Sequence, residues 1–425
     1  MSKIYLDHSA TTSVDPYVFQ KMKPYLETDF GNASSSHGFG QNAIKGVDWS
    51  REELAKLFGC QFKEIIFTSG ATESNNLVIQ GIVKAFNENK KQKYHIITSK
   101  IEHPAVIEVC QELEKQGIVE VTYIKVNEKG LINVNEVKKA IKDNTILISI
   151  MYVNNEIGTI QPIREIGKMI EKVNKNRLKS EDGRSHQKNK SVDIYKKLFF
   201  HTDAVQAVNY CKMKAAYLHA DLITISGHKI YGPKGIGALY VRENTPIKSI
   251  QFGGHQEYNI RPGTYNVPGI VGLGAAIEII NKENKKASDD STTLLIKTIT
   301  SEKIQKLRNK LIKGLQNKIA DIEINGDLDN RVPANANISF NNAEGESILL
   351  MLDLEGIAVS TGSACASGSL EPSHVLRALN IPAEKCHASI RFTLGKNNTD
   401  KEIDHLIKIL PPIVERLRTM SPIKK

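Results

Sequence analysis

The 425-residue sequence lacks long hydrophobic runs, paired cysteine motifs and a recognisable leader segment. No stretch approaches the roughly 20 consecutive apolar residues that a membrane-spanning helix requires, which excludes a protein anchored in this way. The five cysteines are an odd number without a CxxC pair, so they indicate neither a disulfide framework nor a zinc knuckle. The first residues resemble neither a secretory signal nor a transit peptide. We therefore expect a cytoplasmic protein or, in a eukaryote, one of a mitochondrion-related organelle.

The composition and charge are those of an ordinary globular protein. Hydrophobic residues make up 40% and charged residues 24% of the chain, whose length favours two domains. Much of the formal net charge of +10 comes from residues 172–197, where nine Lys or Arg residues accompany three Asp or Glu residues. Because this segment is polar and has no sustained apolar periodicity, we predict a solvated insertion near 174–197 rather than a nucleic-acid contact. A contact with an acidic partner is the alternative.

Strand-like and helix-like segments alternate over the first 250 residues. This alternation predicts an α/β fold with a mostly parallel, doubly wound sheet, whose ligands bind beyond the carboxyl ends of the strands. After about residue 262, longer helical patterns with short strands predict a smaller α+β domain. The predicted strands of the first part are 64–69, 94–99, 121–126, 145–153, 198–205, 222–226 and 237–241.

Three strand ends carry residues suited to one kind of chemistry. A glycine turn at Gly70 precedes a helix, where free backbone N–H groups form a phosphate cradle unless the glycine serves only the geometry of the turn. Lys229 follows the strand 222–226, and a desolvated lysine can form a Schiff base, although most single lysines are surface residues. Asp203 follows another apolar strand and suits the pyridine nitrogen of pyridoxal phosphate, or else caps the next helix.

A fourth segment surrounds Cys365 with Ser, Gly and Ala residues. Small residues on both sides predict an exposed, flexible loop over 360–374, unlike the apolar surroundings of structural cysteines. Such a loop can carry a thiol to a substrate and away again. Cys110 and Cys211 have sequence contexts typical of core residues, whereas Cys60 and Cys386 lie near predicted loops.

These motifs, in this order, closely resemble the group I (NifS/IscS-like) cysteine desulfurases of the class V aminotransferase family. The resemblance runs nearly end to end through YLDHSATT (5–12), FTSGATESNN (67–76), IEH (101–103), VNNEIG (153–158), HTDAVQA (201–207), SGHKIYGPKG (226–235), RPGTYN (261–266), STGSACASGSLEPSHVLRAL (360–379) and SIRFTLG (389–395).

The resemblance implies the type I fold of pyridoxal-phosphate-dependent transferases and a homodimer. It implies a large cofactor-binding domain over 16–262, interrupted by the polar insertion near 174–197. A small C-terminal domain would comprise residues 1–15 and 263–425 and carry the Cys365 loop. Both assignments are expectations at this point.

The resemblance also implies a role for each matching residue. Lys229 would hold the cofactor and move the α-proton of the substrate, His103 would stack on the ring as acid/base, and Cys365 would receive the sulfur. Asn155 and Arg391 would bind the substrate, the arginine fork suiting an α-carboxylate. The remaining cofactor contacts would come from Ala71, Thr72, Asp203, Gln206, Ser226, His228 and, from the second subunit, Thr264.

The implied reaction removes sulfur from L-cysteine, leaving L-alanine and a persulfide on Cys365. The persulfide would pass to an iron–sulfur scaffold or another sulfur-acceptor protein, with tRNA thiolation as a further destination. No resident metal is implied, and Cys365 would contact a cluster only transiently. The rival enzymes are a selenocysteine lyase and a class V aminotransferase, of which the aminotransferase needs no nucleophilic thiol. A basic RNA-binding or assembly protein without catalysis is the rival from another class.

Overall fold

The computed structural model describes residues 3–89, 92–179, 194–287, 293–361 and 371–420. In chain order the strands are β1 (Ile4–Tyr5), β2 (Ile65–Thr68), β3 (Tyr94–Ser99), β4 (Val119–Ile124), β5 (Thr145–Ser149), β6 (Phe199–Asp203), β7 (Leu222–Ser226), β8 (Gly237–Val241), β9 (Ile322–Ile324), β10 (Asn335–Phe340), β11 (Ile357–Ala358), β12 (Ser360–Thr361) and β13 (Ser389–Thr393).

The helices are α1 (Pro16–Met22), α2 (Pro24–Glu27), α3 (Gly38–Phe58), α4 (Ala71–Asn89), α5 (Pro104–Lys115), α6 (Val134–Ala140), α7 (Ile163–Lys179), α8 (Ala215–Leu218), α9 (Val267–Asn284), α10 (Ile299–Gln316), α11 (Gly345–Leu354), α12 (His374–Ala378), α13 (Ala383–His387) and α14 (Asp400–Met420). Short 3-10 turns lie at Phe62–Glu64, Ile194–Lys196, Gly227–Lys229 and Glu257–Asn259.

Seven strands form the large sheet in the order β2-β8-β7-β6-β5-β3-β4. Strands β4, β3, β5, β6 and β7 are parallel, and β8 is antiparallel to both of its neighbours. Apart from the edge strand β4, these strands are buried along their whole length because helices cover the sheet, as expected for βαβ connections. The mostly parallel α/β fold is therefore confirmed. The carboxyl ends of the parallel strands meet at one edge, where Ser99, Asp203 and Ser226 lie.

The C-terminal third contains a four-stranded antiparallel sheet in the order β12-β13-β10-β9. The N-terminal strand β1 pairs in parallel with β11, so that Ile4 lies beside Ile357. Residues from the start of the chain thereby join the C-terminal part. The exact division into 16–262 against 1–15 and 263–425 stays a prediction.

The basic insertion begins later than predicted. Helix α7 continues to Lys179. Two of its residues within the predicted insertion form hydrogen bonds with backbone groups of the large sheet or next to it. The Asn174 side chain bonds both the N–H and the carbonyl of Leu198 at 2.9 Å, and Arg177 donates to the Thr145 carbonyl at 2.9 Å. The polar composition of this segment did not predict these contacts, because Asn174 and Arg177 bond to backbone groups at strand ends. Residues 180–193 of the predicted insertion lie outside the described residues.

The buried His201 joins neighbouring strands of the large sheet. His201 of β6 contacts Ser149 of β5 at 2.8 Å and Thr224 of β7 at 3.0 Å through its two ring nitrogens. Burial lowers the pKa of His201 to about 3, so its ring is neutral at ordinary pH.

Across the described helices, none combines the length and apolar character needed to cross a membrane.

Candidate active site

Residues from several strand ends line one cavity of about 610 Å³ at the carboxyl edge of the large sheet. Strand β13 of the second sheet closes the cavity from the other side through Arg391. The cavity brings together residues as far apart in the chain as Ser9 and Arg391. The predicted residues that line it are Ala71, Thr72, His103, Asn155, Asp203, Gln206, Ser226, His228, Lys229 and Arg391.

Lys229 lies at the end of the 3-10 turn that follows β7. Its Nζ donates to the backbone carbonyls of Ser9 and Ala10, at 2.5 and 2.6 Å. Gln206 Nε2 also donates to the Ser9 carbonyl at 3.1 Å, and the Thr12 N–H donates to the His228 carbonyl at 2.9 Å. We call residues 7–12 the N-terminal strap, because they cross the lysine turn and hold its amine at the cavity.

Asp203 ends strand β6 and is 6% exposed. One carboxylate oxygen accepts from Asn75 Nδ2 at 2.8 Å, and the other accepts from the Val205 N–H at 3.1 Å. Asn75 belongs to helix α4 and is fully buried. These two donors fix the carboxylate beside the cavity, where a protonated ring nitrogen would complete its hydrogen bonding.

His103 is the N-terminal cap of α5, and its Nδ1 accepts from the Ala105 N–H at 3.1 Å. This bond leaves the proton of the neutral ring on Nε2. Burial lowers the pKa of His103, while the Asp203 carboxylate opposes that shift. The ring is thus kept in a form that can accept or return a proton at the cavity.

A buried carboxyl group directly precedes this histidine. Glu102 Oε1 accepts from Ser99 Oγ at 2.5 Å and from the Met151 N–H at 3.0 Å, whereas Oε2 is buried without a hydrogen-bond partner. Burial raises the pKa of Glu102 to about 8. The Glu102 carbonyl accepts from His374 Nε2 at 2.9 Å, which joins α12 to the site. The motif IEH contained Glu102, but its sequence context did not distinguish it from a surface glutamate.

The start of helix α4 forms the polar floor of the cavity. Its first turn leaves the N–H groups of Ala71 and Thr72 without intrahelical acceptors, because the first helical bond runs from Ser74 to the Gly70 carbonyl. Glu73 turns away from these groups, accepts from the Ser69 N–H at 2.7 Å and pairs with Arg261 at 2.7 Å. The free N–H groups and the helix dipole make this a suitable phosphate site.

Arg391 lies on β13 and is 1% exposed. One terminal nitrogen donates to the Asn155 carbonyl at 3.0 Å, and the other pairs with Asp7 Oδ1 at 2.9 Å. Arg391 Nε is buried without a hydrogen-bond partner. An incoming carboxylate can satisfy that N–H, which fits the predicted role of Arg391.

Glu156 follows Asn155 and connects this arginine to α12. Its buried Oε2 accepts from Ser373 Oγ at 2.5 Å, and Ser373 also caps α12. Burial raises the pKa of Glu156 to about 7, against the influence of Arg391. The sequence analysis missed the roles of Asp7, Glu102 and Glu156, because each depends on a partner far along the chain.

One predicted residue with a described position does not line this cavity. Thr264 lies on an exposed turn and does not line it, and Cys365 lies outside the described residues. Cys110 and Cys211 are buried, as expected, and Cys386 is buried on α13 rather than near a loop. Burial raises the pKa of the Cys60 and Cys110 thiols to about 12, so these thiols are poor nucleophiles.

The chain matches known proteins over its whole length. The model of the family described as aminotransferase class-V matches residues 4–196 and 176–406. A cysteine desulfurase IscS of Dictyoglomus turgidum is 47% identical, with 100% of this chain and 97% of the relative covered. A cysteine desulfurase of a Nostoc species is 45% identical, with 100% and 96% covered.

Solved structures agree with these relatives. A NifS-like protein is 34% identical, with a TM-score of 0.84 over 98% of this chain and 100% of its own. A structure of SspA in complex with cysteine is 33% identical, with a TM-score of 0.75 over 94% and 100%. The type I transferase fold predicted from the sequence is confirmed by these neighbours. From the matched family, the relatives and the geometry of the cavity, we conclude that this chain belongs to the class V aminotransferases, among the pyridoxal-phosphate-dependent cysteine desulfurases.

Proposed function

We propose that this cavity removes the sulfur atom of L-cysteine, leaves L-alanine, and places the sulfur on Cys365 as a persulfide. The observation that carries the proposal is the meeting of Lys229, Asp203, His103 and Arg391 in one cavity. Together they provide an amine for a carbonyl group, a carboxylate for a ring nitrogen, a proton carrier and a site for a carboxylate. The alternative, a class V aminotransferase, needs no nucleophilic thiol and would leave Cys365 without a role.

The residues at the strand ends fit pyridoxal phosphate. The free N–H groups at the start of α4, with Ser226 and His228, would hold the phosphate. Asp203 would bind the ring nitrogen, and Gln206 the ring hydroxyl. When bound, the cofactor supplies an electron sink that stabilises negative charge at the substrate α-carbon. The Asp203 carboxylate supports these assignments, because it is buried and accepts two hydrogen bonds.

Proton transfer would fall to Lys229 and His103. Lys229 Nζ lies between two backbone carbonyls, which hold a protonated amine after it has taken the α-proton. His103 keeps Nδ1 occupied by a backbone N–H, so Nε2 is the atom that exchanges a proton. Arg391 and Asn155 would orient the substrate by its carboxylate.

Sulfur transfer would use the thiolate of Cys365. The S–S bond forms as the carbon–sulfur bond of the substrate breaks, and the electron pair left on carbon is protonated to give L-alanine. A homodimer would bring Thr264 of the second subunit to the phosphate, and an iron–sulfur scaffold or another acceptor would receive the persulfide. Transfer toward tRNA thiolation, and the cytoplasm or a mitochondrion-related organelle as compartment, stay predictions.

The test compares purified wild type with Cys365→Ala and with the control Cys60→Ala. Wild type and Cys60→Ala should absorb near the visible band of bound pyridoxal phosphate and release alanine and sulfide from L-cysteine with a thiol reductant. Cys365→Ala should keep the band and lose both products. A colourless wild type after supply of the cofactor would refute the enzyme, and an active Cys365→Ala would refute the persulfide step.

A further inference from the structure

The guanidinium group of Arg391 carries a counter-ion supplied by the chain itself. Asp7 Oδ1 lies 2.9 Å from one terminal nitrogen of Arg391, and the two side chains are 17% and 2% exposed. Because a buried charge without a partner is costly, this pair stabilises Arg391 in the absence of any ligand. A substrate carboxylate approaching Arg391 therefore meets a cation whose charge is already balanced.

A second carboxyl group lies near Arg391 and does not replace Asp7. Glu156 Oε2 is occupied by the hydroxyl of Ser373, and the raised pKa of Glu156 leaves it only partly ionised at neutral pH. Asp7, by contrast, contacts the guanidinium directly. The charge that balances Arg391 is thus mainly that of Asp7.

The backbone holds Asp7 in place next to β13. Asp7 forms an isolated parallel bridge with Thr393, two residues beyond Arg391. The Thr393 N–H donates to the Leu6 carbonyl at 2.7 Å, and the Ala10 N–H donates to the Asp7 carbonyl at 3.0 Å. These bonds hold the backbone at Asp7 beside β13, where its carboxylate reaches Arg391.

We propose that Asp7 pairs with Arg391 in the way a substrate carboxylate would. This pairing lowers the affinity of Arg391 for amino acids and so favours release of the product. This inference rests on the proposed function, because it takes Arg391 to bind the α-carboxylate. In wild type, a ligand adds a second negative charge beside one arginine. Without Asp7, the ligand would supply the missing counter-ion, and its binding would become more favourable. If Asp7 served only to orient Arg391, its removal would weaken binding instead.

The test uses the cofactor-loaded enzyme and the variants Asp7→Asn and Asp15→Asn. Asp15 is a matched control because it belongs to the same N-terminal segment, pairs with Lys396 and has a side chain 15% exposed, yet does not contact Arg391. The ligands are L-alanine and L-alaninamide, which lacks the carboxylate. The readouts are the concentration of each ligand for half-maximal binding, obtained by fitting the rise in Tm against ligand concentration, and the KM for L-cysteine.

Asp7→Asn should lower the half-maximal L-alanine concentration and the KM about tenfold, in the range measured for close charge pairs. L-Alaninamide should not distinguish the variant from wild type, and Asp15→Asn should stay within about twofold for both ligands. An unchanged or higher L-alanine requirement in Asp7→Asn, or no response to L-alanine, would overturn the proposal. A cofactor-loaded wild type without desulfurase activity would instead refute the proposed function.

A second readout applies if the apoprotein and holoenzyme of Asp7→Asn unfold during purification because Arg391 has lost its counter-ion. In that case the proposal requires that L-alanine in the purification buffers restores folded, cofactor-loaded protein. L-Alaninamide at the same concentration should not. Equal recovery with both compounds, or recovery with neither, would overturn the assignment of Asp7.

Discussion

Replacement of Glu102 by Gln should stabilise the protein at alkaline pH and leave it nearly unchanged in acid. Burial raises the pKa of Glu102 from 4.5 to about 8, so the folded state favours the neutral carboxyl group. The unfolded chain ionises near 4.5, and the stability of the wild type therefore falls as the pH rises from about 4.5 to about 8. With about 1.4 kcal/mol for each pKa unit, the loss is below about 1 kcal/mol at pH 5 and about 4 kcal/mol at pH 8.

The hydrogen bonds of Glu102 make glutamine a suitable substitute. Oε1 accepts both bonds, from Ser99 and Met151, and Oε2 has no hydrogen bond that the substitution would remove. The amide of Glu102→Gln can keep its carbonyl oxygen at the first position and does not ionise.

The assay is thermal unfolding of wild type, Glu102→Gln and the exposed control Glu108→Gln between pH 5 and pH 8.5. The Tm of Glu102→Gln should exceed that of wild type by several degrees at pH 8 and coincide with it near pH 5. Glu108→Gln should follow the wild-type curve throughout. Parallel curves for wild type and Glu102→Gln would show that Glu102 is ionised in the folded protein and would refute this reasoning.

Two further predictions concern the arginine and a buried histidine. Arg391→Lys should raise the KM for L-cysteine by about 10-fold to 100-fold with a smaller change in kcat, because lysine lacks the guanidinium fork that binds a carboxylate. Steady-state kinetics test this prediction. An unchanged KM would show that Arg391 does not bind the substrate. Protonation of the buried His201 opposes folding, so wild-type stability should fall as the pH drops from 6.5 toward 3. His201→Gln should flatten that acid limb in thermal melts, and an equally steep limb would count against the neutral ring.

The sequence predicted the large sheet well because most of its strands are buried, apolar runs. The prediction 145–153 was too long, since β5 ends at Ser149. Residues 150–153 are buried beyond the end of the strand, and hydrophobicity does not distinguish them from it. The prediction 121–126 was displaced, because β4 covers Val119–Ile124.

The cavity residues that follow strands were recognisable because small and polar residues interrupt apolar runs there. The roles of Lys229, Asp203 and the turn at Gly70 were inferred from the residue types, and those of the other residues from a resemblance to a family. All of these roles stay predictions. The N-terminal strap was not predictable, because its contacts join Asp7 to Arg391, 384 positions away. No local pattern of residues encodes a partner at that distance. The same reason explains why Glu156 and Ser373 were not paired in advance.

The pairing of β1 with β11 has a consequence for synthesis of the protein. Residues 4 and 5 emerge from the ribosome about 350 residues before their partners at 357 and 358. At about 5–20 residues per second, this delay is on the order of tens of seconds. The strap reaches Lys229 from a segment that β11 and β13 hold in place. The nascent chain should therefore release no sulfide until β11 and β13 have emerged, which keeps a reactive sulfur donor inactive while its site is incomplete.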